Sequence, residues 1–281
     1  MTDSMESTGK TQRKAYGRCL TVLAKLERII RDAGEVILSK HSALKVTAKE
    51  GHANFVTDMD VSIQQFLLGR LQELCPGSAF ISEEKENSPL TDADTWIIDP
   101  VDGTSNLIHD LRLSAISVAL FRDRAPLLAC IYNPFTDEMF TAERGKGAFL
   151  NGSPIHVSDR PMGQALVGFG TSPYYHPKYQ EITLDIAAEF LRCAVDIRRL
   201  GSAALDLAYI ACGRFDVFYE LHLKPWDVAA GSLLIQEAGG IFNMPALPRI
   251  DYSHSAAILA SNRVCYDEAK AVIAAKIRDL P

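Results

Sequence analysis

Two stretches near the start of the chain carry apolar residues on one side of a helix. Between residues 16 and 40 the apolar positions recur at spacings of three and four, which is the period of an amphipathic α-helix. A second stripe at this spacing runs from Phe66 to Leu74 and ends before Pro76. The pattern predicts two helices that each bury one face, the second capped at its start by Thr57 or Asp58.

Short apolar runs that are rich in β-branched and aromatic residues predict strands in the middle of the chain. Residues 96–98 form one such run, and Pro100 predicts that its strand ends at Asp99, because proline cannot donate a hydrogen bond to a neighbouring strand. A glycine-rich segment at 145–152 predicts a hairpin. Between these two features, an antiparallel meander is predicted by runs at 115–121, 127–132 and 138–142.

The second half of the chain alternates strand-like and helix-like segments. Strands are predicted at 166–170, 195–200, 215–220 and 256–260. Helices are predicted at about 178–192, 203–212, 228–238 and 266–277. This alternation is typical of an α/β fold, and the absence of internal repeats or a low-complexity linker predicts one compact unit.

The chain is acidic overall, and its composition argues against two classes of binding partner. A net charge of -6 without a Lys/Arg cluster argues against nucleic acid, and the absence of 18 consecutive apolar residues argues against a membrane. Six cysteines without a Cys-x-x-Cys pair indicate free thiols in a reducing compartment. Residues 1–14 are polar and lack the apolar core of a signal peptide. We therefore expect a cytoplasmic protein with a flexible N-terminal tail at residues 1–14.

Two carboxylates, Asp99 and Asp102, follow the first predicted strand of the middle region. Gly103 permits a tight turn after them, and the backbone amides of Gly103, Thr104 and Ser105 can then face one anion. Carboxylates and anion-binding amides are compatible when a cation lies between them. We therefore interpret both aspartates as metal ligands with a phosphate oxygen nearby. The alternative is that Asp-Pro and Asp-Gly are ordinary turn sequences.

The whole string around these aspartates favours the metal interpretation. Residues 96–106 read Trp-Ile-Ile-Asp-Pro-Val-Asp-Gly-Thr-Ser-Asn, which closely resembles the signature of the inositol monophosphatase family of metal-dependent phosphatases. Further segments resemble the same family at Val56-Thr57 with Asp60, at Glu83-Glu84, and at Trp226-Asp227 with Glu220 seven residues before the aspartate. The resemblance implies an α/β fold of alternating helix and sheet layers, an αβαβα sandwich. It also implies a division at residues 15–155, with the central metal motifs, and 156–281, with the substrate-side residues and the last ligand.

The resemblance also implies a role for each candidate residue. The metal ligands are Glu83, Asp99, the Val101 carbonyl, Asp102 and Asp227. Because these ligands are all oxygens, they favour Mg²⁺ over Zn²⁺, with two or three ions in each active site. Asp60 and Thr104 form a catalytic pair that orients a water and accepts its proton. The substrate is bound by Gly103, Thr104, Ser105, Ala203 and Glu220.

Simpler interpretations exist for several of these residues taken singly. Asp60 in a first helical turn favours the helix dipole, and Asp227 before an apolar helix is a possible N-cap. Glu83 belongs to a charged run that is typical of a solvated loop, and Glu220 is a possible surface charge at a strand end. Asn54, where relatives commonly have aspartate, is a departure that we expect to matter little for chemistry.

The sequence therefore predicts a Mg²⁺-dependent phosphomonoesterase that hydrolyses inositol monophosphate or a related polyol or sugar phosphate. A nucleotide 3'-phosphatase or a histidinol-phosphate phosphatase on the same fold is the alternative among enzymes. A non-catalytic regulatory or binding protein that retains the fold is the alternative of another class, since fold alone does not determine function. The family resemblance implies a homodimer.

Overall fold

The computed structural model describes residues 3–41, 44–49, 55–85, 87, 89–173 and 177–277, with side chains from residue 22 onward. Helices and two β-sheets alternate in five layers. Two helices cover one face of a seven-stranded sheet, two helices lie between this sheet and a five-stranded sheet, and two helices cover the outer face of the second sheet. This arrangement confirms the predicted α/β fold with alternating layers.

The outer helices of the first layer are α1 (Asp3–Lys40) and α2 (Asp58–Leu74). Their apolar stripes pack on the sheet, as the periodicity predicted, with Leu26, Ile30 and Leu67 fully buried. Helix α1 begins well before the predicted start at residue 16, so most of the expected tail is helical. Residues 3–15 contain no proline and only one glycine, and the other residue types in this segment are tolerated in a helix.

Seven strands form the first sheet, and their spatial order follows the sequence from β3 to β9. Only β3 and β4 are parallel; every later pair is antiparallel, which confirms the predicted meander. A separate two-stranded ribbon joins β1 (Val46–Ala48) to β2 (Phe55–Thr57). The strands of the large sheet are β3 (Ala79–Ser82), β4 (Thr95–Asp102), β5 (Ala115–Arg122), β6 (Ala125–Asn133), β7 (Glu138–Glu143), β8 (Gly147–Leu150) and β9 (Ser153–Ile155).

Strand β4 continues through Pro100, so the prediction that it ends at Asp99 is wrong. Strand β3 pairs with β4 only as far as Ile98, and from there β4 has a partner on one side alone. Proline is tolerated at such a position because no neighbouring strand requires its missing amide. The pairing with β5 shifts register between Asp99 and Asp102, and this irregularity lies where the two carboxylates project.

The second sheet has five strands in the order β11-β10-β12-β14-β13. Strand β10 is parallel to β11 and β12, whereas β14 is antiparallel to both of its neighbours. The strands predicted in this half are confirmed with small shifts of their ends, and the short β13 was not predicted. The strands are β10 (Leu166–Phe169), β11 (Asp196–Arg198), β12 (Val217–Leu223), β13 (Ile241–Asn243) and β14 (Ala256–Ser261).

Helices α5 (Ala203–Ala211) and α6 (Pro225–Glu237) lie between the sheets and carry few polar residues. Gly231 lets them approach closely, since a Cβ at this position would lie 2.5 Å from Leu207 side-chain atoms. Helices α4 (Pro177–Cys193) and α7 (Tyr266–Lys276) cover the outer face of the second sheet. A short helix, α3 (Thr104–Ile108), follows β4. The starts of α2, α3, α5 and α6 lie close to the end of β4.

Other predictions concern the chain as a whole. Among the residues described, none of the helices combines the length and apolar character needed to cross a membrane. The five cysteines in the described side chains are all free thiols, as predicted. The seven-stranded sheet ends at Ile155 and the next strand begins at Leu166, but the division of the chain into two halves stays a prediction.

Candidate active site

One cleft between the two sheets collects almost all the residues that the sequence analysis selected. It opens where β4 ends and where α3, α5 and α6 begin. The predicted residues that line it are Glu83, Asp99, Val101, Asp102, Gly103, Thr104, Ser105, Ala203, Glu220 and Asp227. Asp60 is buried and contacts the cleft through Thr104. Segments that are far apart in the sequence thus meet at one place.

Three carboxylates form the centre of the cleft. Single oxygens of Asp99, Asp102 and Asp227 lie within 4.8 Å of one another. In the described part of the chain, no lysine or arginine forms an ion pair with any of the three. Burial, followed by the charges of Glu83, Asp102 and Asp227, raises the pKa of Asp99 well above its ordinary value. The described residues therefore give the cluster no ion-pair partner, and a divalent cation held by oxygen ligands fits it.

Backbone amides hold each of these carboxylates in a fixed orientation. Asp99 Oδ1 accepts a hydrogen bond from the Val101 amide at 3.0 Å. Asp102 Oδ2 accepts hydrogen bonds from the Ala204 amide at 2.7 Å and from the Ser202 hydroxyl. Because the cluster is tied to β4 and to the start of α5 at once, the two elements position a common site.

Asp227 lies in the first turn of α6. The simpler interpretation, that it is the N-cap of this helix, is wrong. The helix begins at Pro225, because proline is favoured at the first helical position, where its missing amide is not needed. Asp227 Oδ2 then accepts a hydrogen bond from the Lys224 amide at 2.6 Å. The same side chain lines the cleft.

Glu83 lines the same cleft but is not a member of the three-carboxylate cluster. It follows β3 in a turn, and its Oε1 lies 3.1 Å from Lys49 Nζ, which also contacts Glu84. Burial raises the pKa of Glu83 to about 7, against the opposing effect of Lys49. Lys49 thus partly neutralises this carboxylate. Glu83, which was predicted to be a metal ligand, thus lies in the cleft beside the cluster and not within it.

The predicted pair of Asp60 and Thr104 is in hydrogen-bond contact. Thr104 Oγ1 lies 3.0 Å from Asp60 Oδ1 and 3.1 Å from the Val101 carbonyl oxygen, and its single proton can serve one of these acceptors at a time. Asp60 Oδ2 accepts a hydrogen bond from the Thr57 amide at 2.8 Å, in a capping box at the start of α2. Burial raises the pKa of Asp60, while hydrogen bonds from Thr57 and Thr104 oppose the rise.

Gly103 allows the chain to turn from β4 into α3 at the edge of the cleft. Its φ of +85° lies in the left-handed region, and a Cβ would lie 2.9 Å from the Leu113 carbonyl oxygen. A larger residue would therefore have to move the backbone of a neighbouring segment. The turn brings Gly103, Thr104 and Ser105 to the cleft wall, where an anion was predicted.

Glu220 lies on β12 of the second sheet and also lines the cleft. Its Oε1 accepts hydrogen bonds from the Ser172 amide at 3.1 Å and from the Ser172 hydroxyl at 2.8 Å. Burial raises the pKa of Glu220 to about 7. The interpretation of Glu220 as a surface charge is wrong, because the β12 strand carries it inside the cleft.

Several cleft residues were not found from the sequence. Ser202 could have been recognised as the cap of an apolar helix, since it directly precedes α5 and its side chain accepts the Leu205 amide. Asp206 is the one acidic residue within that apolar helix, which was a visible signal. Arg199 and Lys49 had no distinguishing pattern. Asn54 lies outside the described residues.

The chain is similar to known phosphatases in sequence and in fold. Residues 20–281 match the model of the inositol monophosphatase family. The chain is 44% identical over 218 residues to an inositol-1-monophosphatase of Rhizobium meliloti, covering 75% of this chain and 78% of the relative. It is 38% identical over 218 residues to the Nus factor SuhB of Escherichia coli, covering 76% and 81%. A solved structure of an IMPase/NADP phosphatase complexed with Mg²⁺ and phosphate has a TM-score of 0.80 and 25% identity, covering 89% and 95%. The chain belongs to the inositol monophosphatase family and is a phosphoric monoester hydrolase of the inositol-phosphate phosphatase type.

Proposed function

We propose that the protein hydrolyses inositol monophosphate, or a closely related polyol or sugar phosphate, with Mg²⁺ as cofactor. The observation that carries the proposal is the cluster of Asp99, Asp102 and Asp227, whose oxygens approach within 4.8 Å without a basic partner among the described residues. Glu220, a buried acceptor for a hydroxyl, lies in the same cleft. A metal-binding end and a hydroxyl-binding end in one cleft suit a phosphate ester of a polyol.

The metal would be held by these three carboxylates, with Glu83 and the Val101 carbonyl as further oxygen ligands. The solved relative that contains Mg²⁺ and phosphate supports this choice of ion. When bound, Mg²⁺ supplies Lewis acidity, which makes water a better nucleophile and offsets negative charge on the phosphate. Two or three ions in each site are part of the proposal.

Thr104 and Asp60 would orient the attacking water and take its proton. When the Thr104 hydroxyl donates to Asp60, 3.0 Å away, its lone pairs are directed elsewhere and can accept a hydrogen bond from a water in the cleft. As the water loses its proton, Thr104 can receive it and pass its own to Asp60. Burial raises the pKa of Asp60, so this carboxylate is a better proton acceptor than an exposed aspartate.

The remaining residues would bind the substrate. The amides of Gly103, Thr104 and Ser105 at the cleft wall suit the phosphoryl oxygens. Ala203, the first residue of α5, has a side chain small enough to leave room for a ring. Glu220 would accept a hydrogen bond from a ring hydroxyl. Pairing as a homodimer belongs to the proposal on the family resemblance, and a cytoplasmic location belongs to it on the free thiols.

A phosphate-release assay with a substrate panel tests this function. The panel comprises myo-inositol 1-phosphate, fructose 1,6-bisphosphate, adenosine 3',5'-bisphosphate and histidinol phosphate, each measured with Mg²⁺. We expect the highest kcat/KM with inositol 1-phosphate or another polyol phosphate, and none with the Asp99→Asn variant. A preference for adenosine 3',5'-bisphosphate or for histidinol phosphate would favour the corresponding alternative phosphatase and would overturn the polyol assignment.

A regulatory binding function is a second candidate, supported by the 38% identity to the Nus factor SuhB of Escherichia coli. Such a function would use the surface of the fold and would not need the carboxylate cluster. The Asp99→Asn variant separates the two. A partner protein that binds this variant and the wild type equally would support a regulatory function alongside hydrolysis. If the protein hydrolyses the substrate and no such partner is found, only the enzymatic function is supported.

A further inference from the structure

The segment that follows β10 brings a serine against the Glu220 carboxylate. Strand β10 ends at Phe169, and the Gly170 amide keeps the chain beside β12 by donating to the Tyr219 carbonyl oxygen at 3.1 Å. Ser172 lies two residues further on and is 2% exposed. Its amide and its hydroxyl both donate to Glu220 Oε1, at 3.1 Å and 2.8 Å. One oxygen of the carboxylate therefore receives two hydrogen bonds from a single residue.

The backbone of Ser172 is in a conformation that serine rarely adopts. Its φ of +41° lies in the left-handed region, which glycine enters without the clash that a Cβ causes. Residues in such conformations persist only where surrounding contacts hold them, and they cluster at functional sites. A glycine at this position would relieve the backbone and keep the amide donor. The hydroxyl is therefore the group that a serine adds here.

The Ser172 hydroxyl has two possible acceptors, and its single proton can serve one of them at a time. Besides Glu220 Oε1 at 2.8 Å, it lies 3.1 Å from the His222 carbonyl oxygen. The carboxylate oxygen is closer and, when ionised, is the stronger acceptor. Burial raises the pKa of Glu220, and both hydrogen bonds from Ser172 oppose that rise. Ser172 thus favours an ionised carboxylate in a buried place.

The second oxygen of Glu220 has a different environment. Oε2 accepts no hydrogen bond from the part of the chain that the structure describes. Gly170 makes room for this oxygen, since a Cβ on Gly170 would lie 1.8 Å from it. Glu220 and Gly170 both line the cleft. One carboxylate oxygen is therefore fixed by Ser172, and the other lies beside a glycine of the cleft wall.

We propose that Ser172 is a positioning residue, which holds Glu220 Oε1 so that Oε2 is directed at a hydroxyl of the substrate. This inference deepens the proposed function and rests on it, because it takes Glu220 to bind a hydroxyl of a polyol phosphate. Ser172 does not itself line the cleft and acts through Glu220, so it is not a catalytic residue. It should therefore affect substrate recognition and leave the chemical step unchanged.

Two variants test the role of the hydroxyl. Ser172→Ala removes it, whereas Ser172→Gly removes it and also relieves the positive φ. Each is assayed with Mg²⁺ on inositol 1-phosphate and on p-nitrophenyl phosphate, which has no hydroxyl for Glu220. We expect both variants to raise KM for inositol 1-phosphate by about tenfold, near the lower end of what one hydrogen bond to a charged group contributes, since the amide still holds Oε1. The kcat for this substrate and both constants for p-nitrophenyl phosphate should stay within about twofold of the wild type.

Ser158→Ala is the matched control. The Ser158 hydroxyl also donates to a buried carboxylate, that of Asp216, and neither residue lines the cleft. This variant should leave KM unchanged on both substrates, even if it lowers the melting temperature. A double mutant tests the route of the effect: in a Glu220→Ala background, Ser172→Ala should raise KM little further, because the carboxylate that it positions is gone. If Ser172→Ala does not fold, Ser172→Gly takes its place in both comparisons.

Several outcomes would overturn the inference. An unchanged KM for inositol 1-phosphate, or equal losses on both substrates, would mean that Ser172 only supports the fold. A rise in KM with Ser172→Ala but not with Ser172→Gly would assign the effect to the backbone and not to the hydroxyl. A rise that persisted in full in the Glu220→Ala background would mean that Ser172 does not act through Glu220. A failure of the proposed function is seen separately, in a wild type that hydrolyses p-nitrophenyl phosphate but no polyol or sugar phosphate.

Discussion

The Thr104 hydroxyl lies 3.0 Å from Asp60 Oδ1 and thereby joins the first turn of α3 to the first turn of α2, across 44 positions of sequence. The second oxygen of Asp60 is already engaged by the Thr57 amide at 2.8 Å. The carboxylate therefore cannot rotate freely, and only one of its oxygens faces Thr104. A side chain with this constraint is suited to handling a proton at a fixed place.

Substitutions at Thr104 and Asp99 should separate proton handling from metal binding. Thr104→Ala removes the hydroxyl that faces Asp60, so we expect kcat to fall by about two orders of magnitude while the Mg²⁺ concentration for half-maximal activity stays nearly the same. Asp99→Asn removes a charge from the carboxylate cluster, so we expect turnover to be lost and Mg²⁺ binding to weaken. Steady-state kinetics and Mg²⁺ titration by calorimetry measure both effects.

Thr104→Ser is the matched control, because it keeps a hydroxyl at the same atom. It should retain most of the wild-type kcat. If Thr104→Ala weakened Mg²⁺ binding as much as Asp99→Asn did, the two residues would share one role and the assignment would be wrong.

Chelation should abolish activity and metal addition should restore it. Asp99, Asp102 and Asp227 lie within 4.8 Å of one another, and without a cation they repel each other and present no electrophile to a phosphate. We expect no phosphate release in excess EDTA and full recovery with Mg²⁺. Turnover that persisted in EDTA would exclude the metal mechanism. The family resemblance also implies inhibition by Li⁺, which is measured separately.

The stability of the metal-free protein should fall as the pH rises. Burial raises the pKa of Glu83 from its ordinary value to about 7, and it raises that of Asp99 and Asp227 as well. A group with a raised folded-state pKa stabilises the fold fully below its unfolded pKa and loses this contribution as pH rises through the folded value. We therefore expect Tm to decrease between pH 5.5 and pH 8.5 when EDTA is present.

Mg²⁺ should counteract this loss, since it binds the ionised carboxylates. The increase in Tm on adding saturating Mg²⁺ should be larger at pH 8 than at pH 6. Asp99→Asn should show a smaller increase at both values. A Tm increase that did not depend on pH would contradict the assignment of raised pKa values to this cluster.

Glu220 should determine specificity without taking part in the chemical step. A hydrogen bond from a substrate hydroxyl to a charged carboxylate contributes about 1.5 to 3 kcal/mol, or about one to two decades in affinity. Glu220→Gln should lower kcat/KM for inositol 1-phosphate by about this factor and scarcely change hydrolysis of p-nitrophenyl phosphate. Similar losses on both substrates would place Glu220 among the groups that support the metal site.

Local patterns in the sequence were sufficient for much of this structure. The three- and four-residue spacings predicted the buried faces of α1 and α2. Of the two caps predicted for α2, Thr57 and Asp58, the structure has Thr57, whose hydroxyl binds free amides of the helix. The string at 96–106 and the aspartate at 227 identified the cleft before any contact was known. Each of these features depends on residues that are close together in the sequence, either as a periodic pattern or as one contiguous motif.

The tertiary structure decided what depends on the meeting of distant segments. Strand β4 continues past Pro100 because β3 ends beside Ile98, which no property of residues 96–102 could reveal. Lys49 acquires its charge partner from a turn 34 residues away. Glu220 acquires its partner Ser172 from a loop 48 residues away, in space that Gly170 leaves open. A sequence specifies which groups are present, but burial and the distances between charges exist only once the layers have packed, and these quantities set the pKa values and hydrogen bonds of the cleft.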